Sequence, residues 1–221
     1  MAQNHKIIQL QALIQRHRSA PSARPAACLA TGVAALDSLL AGGLPNGGIV
    51  ELVSTTLGKG ATSLRLAVLR HASGQQQWTA LIDGGDHFDP QSAGPEVLAN
   101  LLWVRCQSAT EAMRSADLLL RDGNLPLVVL DLRGNAAADL RRIPDPHWYR
   151  LQRALEPAAT AFFALTPRAM IPCAQVRLLL HSHLGLEALE LEQEAIVRTL
   201  RLEMTRQRAA IHEPEIFAQT G

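Results

Sequence analysis

Aromatic side chains are scarce in this chain of 221 residues, which contains three Trp, one Tyr and four Phe. Few side chains can therefore stack on the bases of single-stranded nucleic acid. The 21 basic and 20 acidic residues nearly cancel and leave a formal net charge of +1. This balance excludes a protein that binds nucleic acid by bulk charge alone, although it leaves room for a local basic patch.

Cysteine is also scarce, and long apolar runs are absent. The widely spaced Cys28, Cys106 and Cys173 form neither a zinc pattern nor an even disulfide framework, which indicates a reducing cytosol. No run approaches the roughly 18 apolar residues of a membrane span, and residues 1–18 do not resemble a secretory signal. We therefore expect a cytoplasmic protein. His181 and His183 have no third partner in the pattern, so no metal site is expected.

Only two of the basic residues are lysines, Lys6 and Lys59. Lys59 stands between two glycines, after a predicted strand over Ile49–Val53 and before a predicted helix near 61–73. A strand followed by a glycine-containing loop and a helix binds phosphate in many proteins, because backbone N–H groups and the helix N-terminus face the anion. The candidate nucleotide-binding residues, which include an acid at the end of a later strand, are Gly58, Lys59, Gly60, Thr62, Ser63 and Asp131.

The loop fails the full phosphate-binding signature G-x-x-x-x-G-K-[ST] in both alignments. If Gly58 and Lys59 form the G-K pair, Gly60 stands where a magnesium-binding hydroxyl belongs. If Gly60 is the second glycine, Ala61 replaces the lysine. The second alignment directs the apolar face of the following helix to the sheet. We therefore predict a vestigial site and no cofactor, with ATP and Mg²⁺ as the alternative if the loop functions.

Apolar strands alternate with helices over most of the chain. The further predicted strands cover residues 78–83, 101–105, 125–131 and 160–166, and the helices lie near 61–73, 109–121 and 146–157. The alternation predicts an α/β fold with a mostly parallel twisted sheet and helices on both faces. Alternating apolar and polar residues at 176–181, 186–192 and 196–203 predict antiparallel strands at the C-terminal edge.

The predicted organisation has four parts: an N-terminal helix (1–18), a linker (19–28), a core domain (29–205) and a flexible tail (206–221). The helix carries an apolar stripe that must be buried on its own domain or on a neighbouring subunit. The stripe residues are therefore candidates for oligomer or partner contacts: Ile7, Ile8, Leu10 and Ile14.

Several segments, in order, resemble the ATPase core of RecA recombinases. Residues 31–37 (TGVAALD) and 42–51 (GGLPNGGIVE) are similar to the run that leads into that core. Residues 80–90 resemble its second core strand and the turn beyond it, and residues 127–131 are similar to its Walker B strand, which ends at Asp131. The resemblance covers roughly residues 30–205 and implies a RecA-like fold.

The chain also departs from that family. Gly85 stands where the family has its catalytic glutamate, which leaves the neighbouring Asp86 as the only catalytic candidate. Pro167 takes the position of the sensor Gln or Asn, and about seven residues replace the long DNA-binding loop that follows it. The extra C-terminal domain of bacterial recombinases has no counterpart. Phosphoryl transfer needs these parts together, so we expect weak or no ATP hydrolysis.

This combination is similar to the degenerate ImuA/SulA-type branch of the family, which shares the Leu-Thr-Pro-Arg segment at 165–168. The resemblance implies a non-recombinase accessory protein of translesion synthesis in the SOS response. Its partners would be proteins of the translesion machinery or RecA-like subunits. The alternatives are an ATP-binding RecA-like repair ATPase and a SulA-like inhibitor of cell division.

Residues 133–177 contain seven arginines but only three acidic residues. The candidates for DNA contact are Arg133, Arg141, Arg142, Arg150 and Arg153. Arginines with exposed aromatics can hold a DNA backbone and stack on bases, and Trp148 and Tyr149 lie within this stretch. The plainer interpretation is a solvated helix face that Trp148 and Tyr149 anchor to the core.

Overall fold

The computed structural model describes residues 28–55, 60–181 and 191–208. The predicted N-terminal helix, with Ile7, Ile8, Leu10 and Ile14, lies outside the described residues, as do most of the linker and Gly58 and Lys59 of the loop.

Strands and helices alternate along the described chain, as the apolar pattern predicts. The strands are β1 (Cys28–Leu29), β2 (Leu44–Pro45), β3 (Ile49–Val53), β4 (Thr79–Asp83), β5 (Leu101–Arg105), β6 (Leu127–Asp131), β7 (Ala161–Thr166), β8 (Val176–Leu180) and β9 (Leu202–Gln207). The helices are α1 (Ala34–Leu39), α2 (Ala61–Gly74), α3 (Pro90–Ala93), α4 (Pro95–Ala99), α5 (Ala109–Asp122), α6 (Ala137–Arg141), α7 (Asp145–Leu155) and α8 (Gln193–Thr199).

Seven of these strands form one twisted sheet in the order β5-β4-β6-β7-β3-β8-β9, and β1 pairs with β2 in a separate antiparallel ribbon. All neighbours in the large sheet are parallel except β8 and β9 at the edge. The predicted α/β fold with a mostly parallel sheet and an antiparallel pair at the C-terminal edge is therefore confirmed.

Helices cover both faces of the sheet. Residues of α2, α4 and α8 pack on one face, and residues of α5, α6 and α7 pack on the other. Every residue of β3, β4, β6 and β7 is buried, which explains why these strands have nearly continuous apolar sequences. Trp148 lies inside the second layer with 1% of its surface exposed, whereas Tyr149 is 46% exposed.

The strand prediction over 196–203 is wrong. Residues Gln193–Thr199 form α8, and the strand begins only at Leu202. Val197 and Leu200 are buried against the α2 layer, and the surrounding Gln, Glu, Ala and Arg are good helix formers. A short apolar run interrupted by polar residues fits both the helical period of about 3.6 residues and the strand period of two. Tertiary packing therefore decides whether the segment forms a helix or a strand. The strand predicted over 186–192 falls mostly outside the described residues.

Two further boundaries differ from the prediction. Cys28 belongs to β1 rather than to the linker, and β9 continues to Gln207, beyond the predicted core boundary at 205. β8 was predicted as one of the antiparallel strands at the C-terminal edge. It pairs antiparallel with β9, but it pairs in parallel with β3 on its other side. Within the described part of the chain, no helix has the length and apolar character needed to cross a membrane.

Glu51 of β3 is fully buried and holds the short connection between β7 and β8, residues 167–175, against the sheet. Its Oε1 atom accepts hydrogen bonds from Thr166 Oγ1 (3.1 Å) and from the backbone N–H groups of Met170 (2.8 Å) and Ile171 (3.2 Å). Its Oε2 atom accepts one from Arg177 Nε at 2.5 Å. A buried charge is tolerated only with such partners, so this carboxylate fixes the path of the connection.

We predict that Glu51→Gln lowers the free energy of unfolding by roughly 2–4 kcal/mol, because it breaks a largely buried ion pair and weakens three further hydrogen bonds. Urea unfolding of the purified variant measures the loss. The double variant Glu51→Leu/Arg177→Leu should remain destabilised, since the N–H groups of Met170 and Ile171 would still lack an acceptor. A loss below about 1 kcal/mol in Glu51→Gln would contradict this role.

Candidate functional site

The candidate site lies at the carboxyl edge of the sheet, where ligands bind in many parallel α/β proteins. Here α2 begins after β3, and the last residue of β6 is Asp131. Gly60 precedes α2 with φ +84°, a left-handed conformation that favours glycine. Thr62 is exposed in the first turn, whereas Ala61 is buried. The structure thus brings together the described candidates Gly60, Thr62 and Asp131.

Asp131 is buried and surrounded by guanidinium groups. Arg65 of α2 donates from Nη1 to Asp131 Oδ2 at 2.5 Å. Arg133 donates from Nε to Oδ1 at 3.0 Å and from Nη2 to Oδ2 at 2.6 Å, in a bidentate pair. The backbone N–H of Arg133 adds a bond to Oδ1 at 3.1 Å. Both carboxylate oxygens are therefore engaged by cations that belong to the chain.

Arg133 also reaches the first turn of α2. Its Nη2 atom lies 3.4 Å from Thr62 Oγ1, so one guanidinium links the hydroxyl of Thr62 to the carboxylate of Asp131. In phosphate-binding loops of this type, Mg²⁺ is held by the hydroxyl at the helix start and by the acid of the neighbouring strand. The Arg133 guanidinium therefore occupies the position between the two groups that would hold the metal.

Arg65 is the most deeply buried member of this cluster, with 3% of its side chain exposed. Its guanidinium carbon lies 5.2 Å from the ring centroid of Phe88, a cation–π contact. Burial lowers the pKa of Arg65, and the charge of Asp131 acts in the opposite direction. Burial also acts to raise the pKa of Asp131, but Arg133 and then Arg65 outweigh it and hold that pKa below its ordinary value.

These residues do not fit a magnesium ion. Mg²⁺ requires near-octahedral oxygen coordination at about 2.0–2.1 Å, and the oxygens of Asp131 already accept hydrogen bonds from two guanidinium groups. A divalent cation beside Arg65 and Arg133 would also meet strong charge repulsion. Elsewhere in the described ranges, no group of three His, Cys, Asp or Glu side chains is arranged to hold a metal ion.

The loops after β4 and β6 are joined beside this cluster. Gly84 N–H donates to the Asp131 carbonyl at 2.9 Å, and Asn135 Nδ2 donates to the Gly84 carbonyl at 2.6 Å. A Cβ atom on Gly85 would lie 2.6 Å from the His87 ring and 2.8 Å from the backbone of Gly134. This packing leaves no room for a longer side chain at Gly85, the position that the resemblance aligns with a catalytic glutamate.

Asp86, the candidate catalytic residue, has its carboxylate oriented to the edge of the sheet. Arg105 of β5 binds it through Nε at 2.7 Å and Nη2 at 2.8 Å. The neighbouring Asp83 has a structural role, since its carboxylate accepts the N–H groups of His87 (3.0 Å) and Phe88 (2.7 Å). Thr166, beside Pro167, donates its hydroxyl to Glu51 Oε1 at 3.1 Å.

The predicted DNA-contact arginines differ in burial and in their partners. Arg133 has 11% of its side chain exposed and pairs with Asp131. Arg142 lies 3.5 Å from Asp139, and Arg150 lies 3.1 Å from Asp117 of α5. Arg141 and Arg153 are exposed. Trp148 is buried, in agreement with the plainer interpretation for that residue, whereas Tyr149 remains on the surface.

Sequence reasoning missed Arg65 and the second role of Arg133. Arg65 lies on α2 among Leu64, Leu66, Val68 and Leu69, all buried. One signal was present: Arg65 follows Thr62 by three positions and thus faces the same side of the helix. A cation beneath the loop, one turn into the helix, could have suggested an internal partner for Asp131.

We predict that Asp131→Asn lowers the free energy of unfolding at pH 7 by about 3–5 kcal/mol, because Arg65 would be left buried without its counter-ion. The folded-state pKa of Asp131 lies below the unfolded value of about 3.9. Its contribution is therefore present above about pH 4 and is lost as the pH falls through the folded pKa.

Denaturant unfolding of the wild type and of Asp131→Asn between pH 7 and pH 3 tests this prediction. The difference between their free energies of unfolding should become smaller as the pH falls. A carboxylate reserved for a metal would behave differently, since its neutralisation without metal relieves repulsion. An unchanged or raised stability of Asp131→Asn would therefore contradict the ion-pair role.

The sequence is similar to RecA proteins of bacteria over about half of its length. It is 37% identical over 111 residues to Protein RecA of Clavibacter michiganensis, a match of 48% of this chain and 30% of that protein. With Protein RecA of Frankia alni it shares 33% identity over 110 residues, 48% of this chain and 32% of that protein. With Protein RecA of Rubrobacter xylanophilus it shares 36% over 109 residues, 48% and 31% respectively.

The matched region thus spans about a third of the length of these RecA proteins. No family model matches the chain. Identity at this level, together with the parallel sheet and the segments that resemble the recombinase core, supports a relationship to the RecA-like superfamily.

Proposed function

We propose that this chain is a RecA-like accessory protein of DNA damage tolerance that acts through protein–protein contacts, with weak or no ATP hydrolysis. Its place would be in translesion synthesis within the SOS response, beside protein partners of that machinery or RecA-like subunits. The observation that carries the proposal is the pairing of Asp131 with Arg65 and Arg133.

Phosphoryl transfer depends on several groups that act together. The Arg133 guanidinium stands between Thr62 and Asp131, where a metal would bridge the protein and the phosphates. The position of the catalytic glutamate is Gly85, against which the loops pack too closely for a side chain. The carboxylate of Asp86 is bound by Arg105. Each feature removes a different part of the reaction, so slow or absent hydrolysis follows from all of them.

The ion pairs also support a role that does not depend on nucleotide. The Arg133 guanidinium connects α2 to β6 with atoms of the chain itself, so this connection persists whether or not a nucleotide is present. A protein built in this way can present one constant surface to partners. The assignment to DNA damage tolerance follows the similarity to RecA proteins, and the ImuA/SulA-type branch is part of this proposal.

Calorimetric titration with ATP tests the proposal against an ATP-binding RecA-like repair ATPase. We expect no saturable Mg²⁺-dependent binding up to about 1 mM ATP, and Lys59→Ala should leave the titration unchanged. Tight binding that requires Mg²⁺ and is abolished by Lys59→Ala would overturn the proposal in favour of the ATPase.

The same variant extends the test to the cell. If the protein acts without nucleotide, Lys59→Ala should restore damage-induced mutagenesis to a deletion strain as well as the wild type does. A gene whose deletion leaves mutagenesis intact but abolishes the arrest of division after damage would instead favour the SulA-like alternative.

A further inference from the structure

The antiparallel pair at the edge of the sheet gathers positive charge on one face. Arg177 of β8 stands directly opposite Arg206 of β9 in the register of the two strands. Arg208 follows Arg206 by two residues, and its backbone N–H donates to the Gln175 carbonyl at 2.8 Å. Like charges that face each other across two strands destabilise a sheet. Of these two opposed arginines, Arg177 is balanced by the buried carboxylate of Glu51.

The connection between β7 and β8 binds both β9 and its extension: Arg206 donates from Nη2 to the Pro172 carbonyl, and the backbone N–H of Arg208 donates to the Gln175 carbonyl. Burial raises the pKa of the Cys173 thiol, in the same connection, to about 11, while the charges of Arg208 and Arg206 act in the opposite direction. We refer to Arg177, Arg206 and Arg208 as the arginine face.

Within the described part of the chain, Arg177 is the one member of the arginine face that pairs with a carboxylate, that of Glu51. Burial lowers the pKa of Arg206, and the charges of Arg208 and Arg177 lower it further, with Glu51 as the one carboxylate that acts against them. Glu51 is already bound by Arg177 and by the N–H groups of Met170 and Ile171. Among the described residues, no carboxylate forms an ion pair with Arg206 or Arg208.

Two of the three guanidinium groups are held in place by backbone carbonyls. Arg206 Nη2 donates to the Pro172 carbonyl at 2.8 Å, and Arg177 Nη2 donates to the Ile171 carbonyl at 2.8 Å. A guanidinium has five N–H donors, so Arg206 retains further donors after this bond. Fixing the side chain in advance reduces the entropy lost when a ligand binds.

We propose that the arginine face binds the phosphodiester backbone of nucleic acid without reading its sequence. Guanidinium groups suit phosphate because they donate two parallel hydrogen bonds. Arg206 and Arg208 are two residues apart in an extended segment, so their Cα atoms are separated by roughly 6–7 Å. This spacing allows each arginine to contact its own phosphate. The arginine face contains no aromatic residue, so it offers phosphate contacts without base stacking.

This surface differs from the candidates that the sequence suggested. Arg206 and Arg208 fall in the segment predicted as a flexible tail, and the earlier candidates Arg133 to Arg153 take no part in it. The choice of nucleic acid over an acidic peptide rests on the proposed function. The nucleotide titration tests that function by a separate measurement, so failure of one proposal is distinguishable from failure of the other.

Fluorescence anisotropy with a labelled 20-nucleotide DNA, as a single strand and as a duplex, tests the proposal across several salt concentrations. Arg206→Gln/Arg208→Gln should weaken binding about tenfold at low salt. The slope of log affinity against log salt should become shallower by about 1.4 for single strands and about 1.8 for duplex, because two phosphate contacts are lost.

Two matched variants control for charge and folding. Arg114→Gln/Arg198→Gln removes the same charge from exposed positions on α5 and α8 and should leave the slope unchanged. Arg206→Lys/Arg208→Lys keeps the charge and should retain the wild-type slope. The proposal is overturned if the Gln variant binds like wild type, if the Lys variant loses as much as the Gln variant, or if poly-glutamate displaces the protein as effectively as unlabelled DNA.

Discussion

The structure at the carboxyl edge of the sheet depends on the buried ion pairs of Asp131. A carboxylate with both oxygens engaged by Arg65 and Arg133 joins β6 to α2 and to its own following loop. In a metal-dependent site the bridging cation arrives with the nucleotide and departs with it. Here the cation is part of the polypeptide, so the connection does not require a bound ligand. Under the proposed function, this difference makes the edge of the sheet a structural element.

Glu51 has the corresponding role within the sheet. It fixes the short connection between β7 and β8 through Thr166, two backbone N–H groups and Arg177. Glu51 and Asp131 are thus both balanced by arginines, in agreement with the rule that buried charges need partners. Arg206 and the backbone of Arg208 also hydrogen-bond to the connection that Glu51 holds. The buried ion pair and the proposed phosphate-binding surface share Arg177.

The arginines between positions 133 and 177 fall into groups with different roles. Arg133 and Arg177 stabilise buried carboxylates. Arg142 and Arg150 form ion pairs at the surface, of the kind that contribute little to stability. Arg141 and Arg153 are exposed on α6 and α7. Local charge counting could not distinguish these groups, because Glu51, the partner of Arg177, and Asp117, the partner of Arg150, are distant in sequence.

The apolar pattern alone predicts the order of strands and helices in the parallel part of the sheet. Strands such as β3 and β6 are buried on both faces and therefore appear as unbroken apolar runs. The sequence also showed that the loop after β3 lacks the full phosphate-binding signature. The prediction from the sequence was wrong at α8, because a short segment whose pattern fits both a helix and a strand takes its conformation from the residues that pack against it. Of the two partners of Asp131, Arg133 is two positions away, but Arg65 is 66 positions away and its pairing depends on how α2 packs beside β6. Whether that carboxylate serves a metal or an internal cation depends on which charged groups meet in space. The spacing of Thr62 and Arg65 can suggest such a pairing, but the packing of α2 against β6 establishes it, because it brings residues from distant parts of the chain together.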